Sequence, residues 1–538
     1  MGGSMTRVAA AGLLVFTLVS GPAVGAGPDL RLVTAATQQD WATVRALVRE
    51  RVDVNASRAD GATALLWAAH WDNWEIVEHL LRAGAKVDVA DDYGVTPLAR
   101  ACENASAGMV ATLLEAGANP HAAHTSGLSP LMIAARTGSV PVVRTLLAHG
   151  ANVNAQTPTT GATAVMWAVA APHPAVVRLL TEAGADVHVS SHKGFTPLLF
   201  AAINGDIETA TILIAAGARV NEPGSDGTHA LPLAIINQHD RFALFLLEQG
   251  ADPNGAMSSV TALHAAAGNV TTWLAGWYRT HGRGRAIEGG GSIGERGLDP
   301  DRRLTLVRAL LARGADPNAR IGNSAVVLGY LGSPRRGVFE QNAVGTGDVR
   351  GATPLWVAAF SANGGGLFGE DATYVVDSSA EIIRALLTAG ADHRIATDDG
   401  TTPLMAAAGL GHRSYQPRRP RGPRSPSAEA AVTALVEAGA DVNGVNEGEF
   451  TALHAAVFRG MNEVVQYLVE HGANINARDY RGRTPFRMAE GTKQSFQFQA
   501  WPETAALLRL LGADTSLGIP GTVHERADRD VAVGSQQP

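Results

Sequence analysis

Six consecutive residues, Gly289-Gly290-Gly291-Ser292-Ile293-Gly294, satisfy two catalytic spacings at once. As G-x-G-x-x-G they could aim backbone amides at a phosphate, provided that a strand precedes them and a helix follows. Shifted by one residue they read G-x-S-x-G, the turn that presents a nucleophilic serine, which also needs a strand, a helix and partner His and Asp side chains. The hexad instead follows an Arg- and Gly-rich stretch and precedes Glu295-Arg296-Gly297. A surface loop is the better reading, and no catalytic residue is assigned.

The remaining reactive side chains read the same way. His121 and His124, and His188 and His192, are pairs near turns. A zinc site needs three or four converging ligands, which neither pair offers, so no metal site and no cofactor is expected. Asp91, Asp92, Asp398 and Asp399 lie in turn sequences, where aspartate bonds its own backbone. The single cysteine, Cys102, sits in the apolar run Pro97-Leu98-Ala99-Arg100-Ala101-Cys102 and reads as a buried structural thiol. His264 and His454 both end a Thr-Ala-Leu-His string. Equivalent strings place Leu66, Ala99, Met132, Met166, Leu199, Pro232, Trp356 or Met405 there, a spread that suits packing rather than catalysis.

Composition narrows the classes further. A hydrophobic content of 46% fits a folded chain. A net charge of −7 argues against nucleic acid as a partner. The three lysines, Lys86, Lys193 and Lys493, leave 40 arginines, a bias of composition that weakens any reading of arginine clusters. At the N-terminus, Arg7 precedes an apolar core from Val8 to Val19, and Val24-Gly25-Ala26 supplies the small residues of a cleavage site. Residues 1–26 therefore read as a signal peptide, and the mature protein as periplasmic or secreted. No later segment is apolar enough to span a membrane.

The elements repeat. Glycines recur at Gly61, Gly94, Gly127, Gly161, Gly194 and Gly227, at intervals of 33, 33, 34, 33 and 33 residues. Gly-Ala pairs close the units, from Gly84-Ala85 through Gly512-Ala513. In one unit Thr96-Pro97-Leu98 opens a helix, because threonine caps the orphan amides and proline suits the first turn. Ala101 and Cys102 are small enough for close helix approach. Val110, Leu113 and Leu114 share one face of a second helix, which Gly117 ends. A polar turn from Asn119 to Gly127 follows. One such pair cannot bury its apolar face alone, so the pairs must stack.

The best-formed unit, Gly448-Glu449-Phe450-Thr451-Ala452-Leu453-His454-Ala455-Ala456 with Val464 to Asn476, resembles the ankyrin consensus. The resemblance runs from about residue 29 to 516. It implies an all-α ankyrin-repeat solenoid of helix–turn–helix–β-hairpin units, about twelve including caps, with several long loop insertions. The chain is also similar to exported bacterial ankyrin-repeat proteins, which share no single activity. In this family the histidine of Thr-Ala-Leu-His holds the turn. The family binds other proteins through hairpin tips and the exposed face of each first helix. By position, that groove should display Trp71, Tyr93, Glu103, Asn104, Arg136, Thr137, His192, Phe195, Asn204, Asp226, Asn237, Phe360, Phe450, Phe458, Arg459 and Tyr480. Trp67, Trp167 and Phe200 are assigned to the core between repeats, whereas Trp74 suits either role.

The expected organisation is a capping repeat at 27–60, regular repeats at 61–259, repeats with insertions at 260–449, repeats ending in a cap at 450–518, and a tail at 519–538. The insertions fall at about 270–301, 321–347, 362–377 and 411–426. Three of them enter between the two helices of a unit. The first carries Trp273, Trp277 and Tyr278 at helical spacing and should fold back onto the repeats. The last holds Arg413, Arg418, Arg419, Arg421 and Arg424 among prolines. The favoured function is an exported scaffold that binds another protein through the groove and the insertion loops. The alternatives are binding of an anionic polymer or surface through the Arg-rich loops and, last, an enzyme built from the insertions.

Overall fold

The computed structural model describes residues 29–270, 273–281, 298, 300–323, 350–363, 379–411, 425–480, 482–494 and 497–517. The signal segment 1–26, the tail 519–538, the hexad Gly289–Gly294, the arginines between 413 and 424 and most of the four insertions lie outside the described residues. The described chain is helical, with short hairpins, and divides into two compact units that meet in sequence at Thr125 and Ser126.

Unit 1 holds three helix pairs: α1 (Arg31–Thr37) with α2 (Trp41–Arg49), α3 (Ala64–His70) with α4 (Trp74–Arg82), and α5 (Pro97–Glu103) with α6 (Ala107–Glu115). Unit 2 continues with α7 (Pro130–Thr137) and α8 (Val140–Ala148), α9 (Ala164–Ala170) and α10 (Pro174–Glu182), α11 (Pro197–Asn204) and α12 (Ile207–Ala215), and α13 (Ala230–Ile236) and α14 (Asp240–Glu248). A two-residue hairpin, β1 (Ala256–Met257) with β2 (Val260–Thr261), leads to α15 (Ala262–Ala267). An extra helix, α16 (Ala275–His281), precedes α17 (Pro300–Ala312), the partner of α15. Next come α18 (Pro354–Ser361) and α19 (Ser379–Thr388), α20 (Pro403–Ala407) and α21 (Pro426–Glu437), and α22 (Ala452–Arg459) and α23 (Asn462–Glu470). The last pair, α24 (Pro485–Glu490) and α25 (Pro502–Leu510), is split by the antiparallel strands β3 (Thr492–Gln494) and β4 (Gln497–Gln499).

The local chemistry is uniform. Thr63, Thr96, Ser129, Thr163, Thr196, Thr353, Thr402, Thr451 and Thr484 each accept a hydrogen bond from the amide three residues on. Each such cap is worth about 1 kcal/mol. The small residues behind the caps, such as Ala101 and Cys102, are wholly buried. Burial pushes the Cys102 thiol well above its ordinary range, by desolvating the thiolate, so the group is inert. Gly117 ends α6 at φ 91°, in the left-handed region where a side chain would be strained.

Within unit 2 the first helices form one row, α7 against α9, then α11, α13, α15, α18, α20, α22 and α24. The row passes the insertions without a gap, because the extra residues leave between helices. Residues 268–299 fall between α15 and α17, residues 362–378 between α18 and α19, and residues 408–425 between α20 and α21.

Candidate partner-binding surface

Two sets of bonds tie neighbouring repeats together and so fix which side chains are free. The first is a ladder of six asparagines at turns between neighbouring repeats. Asn254 donates to the Gly314 carbonyl at 3.2 Å and accepts from the Asp316 amide at 2.8 Å. Asn55, Asn154, Asn221, Asn318 and Asn443 make the same two bonds to the turn that follows. These residues were not singled out from the sequence, although five of the six stand three residues beyond a Gly-Ala pair.

The second set caps the carbonyl end of a neighbour's first helix. Asn104 donates to Ala69 and His70 carbonyls at 3.0 Å each. Asn204 donates to the Val169 carbonyl at 2.9 Å. Within one repeat, Arg303 of α17 caps α15 in the same manner from a buried position, with Nη1 3.1 Å from the Ala266 carbonyl, and burial lowers its pKa to about 10. Trp501 donates its indole N–H to the Phe458 carbonyl at 2.9 Å.

The two histidines of Thr-Ala-Leu-His are turn clamps. His264 Nδ1 lies 2.8 Å from Thr261 Oγ1, and Nε2 lies 3.1 Å from the Ala352 carbonyl of the next repeat. Its ring is completely buried, and desolvation lowers its pKa to about 4. His454 pairs with Thr451 and the Arg483 carbonyl in the same way, and burial lowers its pKa too. Asp91 Oδ1 accepts from the Tyr93 and Val95 amides at 2.9 Å, holding its own turn. Among the described residues, no group of three His, Cys, Asp or Glu side chains could hold a metal ion.

The sixteen positions assigned to the groove divide on this basis. Trp71 is 41% and Tyr93 72% exposed, and with Trp74 at 53% they are the exposed large aromatics among the described residues. All three belong to unit 1. Trp74 also donates its indole N–H to Thr112 Oγ1 at 3.0 Å. Glu103 is paired with Arg100 at 2.8 Å. In unit 2, Arg136 lies over the Trp167 ring at 5.8 Å, and Thr137 donates to the Ala134 carbonyl. His192 Nδ1 lies 3.2 Å from the Thr159 carbonyl, and Asn237 donates to the Leu233 carbonyl. Arg459 is half-buried, its stem over Gly409.

Four of the expected groove aromatics are corrected to the interior. Phe195, Phe360, Phe450 and Phe458 are all less than 7% exposed. Phe360 stacks on Trp356 with ring centres 5.1 Å apart. Phe450 lies between His454 and Tyr480, 6.0 Å from each. Trp356 lies on the same helix as Phe360, and Tyr480 of the next hairpin closes over Phe450, so packing accounts for these side chains. Asn104 and Asn204 are likewise engaged by backbone carbonyls. Trp67 and Trp167 depart from the core assignment in the other direction. Each is half-buried, with a shielded indole nitrogen that has no hydrogen-bond partner. Trp67 stacks beneath Trp71 at 6.4 Å. Phe200 is a core residue, 9% exposed.

Phe195 and Asp226 are covered by the first insertion. Trp273, Trp277 and Tyr278 are buried, as their spacing led us to expect. Trp277 donates its indole N–H to Asp226 Oδ2 and Thr228 Oγ1, at 3.0 Å each. His281 Nε2 lies 3.2 Å from the Lys193 carbonyl and 3.3 Å from Asp226 Oδ2, while Nδ1 faces the Trp277 carbonyl at 3.0 Å. Phe195 meets both rings edge-on, at 6.1 and 5.3 Å. That α16 reaches back past the repeat it grows from, to hairpin tips at 193–195 and 226–228, was not legible in the spacing.

Comparison with known proteins agrees with this geometry. The family described as ankyrin repeats (3 copies) matches residues 32–124, 108–191, 183–257, 371–479 and 424–494, more than half of the chain. The Notch protein of Drosophila melanogaster is 37% identical over 142 residues, which are 26% of this chain and 5% of that protein. Mouse Rabankyrin-5 is 43% identical over 77 residues, 12% of this chain and 7% of that protein. The chain thus spans only a small part of these relatives. The human ASB11 ankyrin repeat domain, a solved structure, is 28% identical, with a TM-score of 0.37 over 40% of this chain and 96% of that one. With the repeat signature in both units and helix pairs that pack in the register it requires, the chain belongs to the ankyrin-repeat family.

Proposed function

We propose that this chain is an exported scaffold that captures another protein on the aromatic surface of unit 1. Ankyrin repeats are generally protein–protein interaction modules. The observation that supports the reading is the exposure of Trp71, Trp74 and Tyr93, the exposed large aromatics among the described residues. Large aromatics left in water cost the free chain hydrophobic stabilisation, and Trp and Tyr dominate interface hot spots at 2 kcal/mol or more each. Asp60 and Asp92 stand at hairpin tips beside Tyr93, joined by the Asp92 amide to the Asp60 carbonyl at 2.9 Å, and add polar groups next to that ring. Export rests on the sequence of residues 1–26 alone.

The test compares immobilised wild type with the Trp71→Ala, Tyr93→Ala double variant. The wild type should enrich a partner at least tenfold more strongly from the exported fraction of its source cells, while the two proteins melt within about 2 °C of each other. Identical capture by both would refute the surface assignment. Export is checked by N-terminal sequencing, which should begin at Gly27; a chain retained in the cytoplasm with residues 1–26 intact would refute it.

A further inference from the structure

The best-defined docking geometry in unit 2 is one the chain makes with itself. The helix α16 is a seven-residue piece of an insertion, yet it places two buried rings, Trp277 and His281, against repeats from which it does not grow. Its contacts resemble those of a bound peptide. An indole N–H is held by a carboxylate and a hydroxyl, Asp226 and Thr228. An imidazole one turn later stacks on that indole at 4.5 Å and reaches the Lys193 carbonyl and the same carboxylate. Phe195 closes the site from beneath. The i and i+4 spacing of Trp277 and His281 puts both rings on one helix face, which is how amphipathic helices present anchors to a groove.

The receiving residues do not need α16 for their own fold. Asp226 Oδ1 caps the Thr228 amide at 3.0 Å, and Oδ2 accepts from the Thr228 hydroxyl at 2.8 Å, as in an ordinary hairpin turn. The Phe195 amide and the Lys193–Gly194 turn are fixed by Ser191 and by the Ser225 amide. The site is therefore preformed by the repeats, and α16 is added to it. A preformed site with an intrachain occupant has a simple consequence. The tether raises the effective concentration of α16, and any second ligand must compete with it.

We propose that the hairpin-tip site of Phe195, Asp226 and Thr228 is a docking site for a short amphipathic helix carrying Trp and, four residues later, His. In this structure α16 occupies it in cis, and a partner helix with the same pattern takes its place. The site lies in unit 2 and stands independently of the surface proposed for unit 1.

The probe is a fluorescently labelled peptide with the sequence of residues 270–283, titrated into the full-length protein. The Trp277→Ala variant empties the indole position and should bind the peptide in trans. Wild type, whose site is occupied, should bind at least tenfold more weakly. A peptide carrying Trp277→Ala should not bind either protein. Should the Trp277→Ala protein lose its helical circular-dichroism signal, the His281→Ala protein serves instead. It keeps the indole but loses the contacts to Lys193 and Asp226, and it should bind the peptide more tightly than wild type does. Equal affinity of wild type and the opened proteins would overturn the proposal, as would indifference to the tryptophan of the peptide. So would failure of a folded, opened protein to bind at all.

Discussion

At the scale of single residues, His264 shows how a titratable group becomes a structural one. Both ring nitrogens are engaged, one by Thr261 and one by the Ala352 carbonyl, in a site that water does not reach. Its pKa falls from an ordinary value near 6.5 to about 4 because the imidazolium would be desolvated. The unfolded chain therefore takes up a proton that the folded chain refuses between these values. Stability from this group is complete above about pH 6.5 and is lost as the pH falls toward 4, by about 2 kcal/mol at pH 5. Urea melts at pH 7.5 and 5.0 should show that loss, and His264→Gln should remove this share of it. An unchanged pH dependence in the variant would show that the ring is not buried as a neutral group. His454 shifts in the same direction for the same reason and adds to the slope.

The elements are held in register by turn side chains rather than by helix propensity, since helices of five to thirteen residues are marginal alone. Asn254 and Asn318 matter most, because they bridge turns that are 60 and 72 residues apart in sequence. Asn254→Ala removes a donor and an acceptor at an exposed turn and should cost about 1 kcal/mol, read as a shift in denaturant midpoint at constant slope. A closer constraint sits at Gly268, where the chain leaves α15 for the first insertion. A Cβ there would meet Ser361 Oγ at 2.2 Å and the Val357 carbonyl at 2.8 Å. Backbone cannot yield as a flexible side chain can. Gly268→Ala should therefore cost about 3 kcal/mol, while Gly84→Ala, with open space around it, should cost only its backbone strain. Equal losses at the two glycines would refute the close approach.

Across the whole molecule, insertions and repeats obey different economies. Closing a longer loop costs only about 0.6 kcal/mol per doubling of length, so extra residues can leave between two helices without unstacking them. The unbroken row of first helices in unit 2 is the structural result. Where a cost appears it is local: α15 and α20, each followed by an insertion, have six and five residues, against seven or eight in α7, α9, α11 and α13, although α18, also followed by an insertion, keeps eight. Shorter helices open more readily. Hydrogen exchange should accordingly be slower in the helices of residues 61–259 than in those of 260–449. The reverse order would show that the insertions brace the repeats they interrupt.

Much of this protein is written in its period. The recurrence of a hairpin glycine, a capping Thr or Ser and a closing Gly-Ala at about 33 residues determines helix pairs, caps and turns, because each depends on neighbours a few positions away. The burial of Cys102, the clamping histidines and the inward-turning Trp273, Trp277 and Tyr278 follow from the same local patterns. Which aromatics meet water does not. Tyr93 lies three residues before the capping Thr96 and is 72% exposed, whereas Phe450 and Phe195 each lie directly before a capping threonine and are buried, as Val95 is. Phe450 is enclosed by Tyr480 from the next hairpin, and Phe195 by Trp277 from an insertion more than 80 residues on. Position in the repeat sets which side of the hairpin a ring takes, and what a distant segment lays over it completes the enclosure. The sequence specifies each hairpin tip; only the packing of repeats, and the return of α16, decides which tips remain open to a partner.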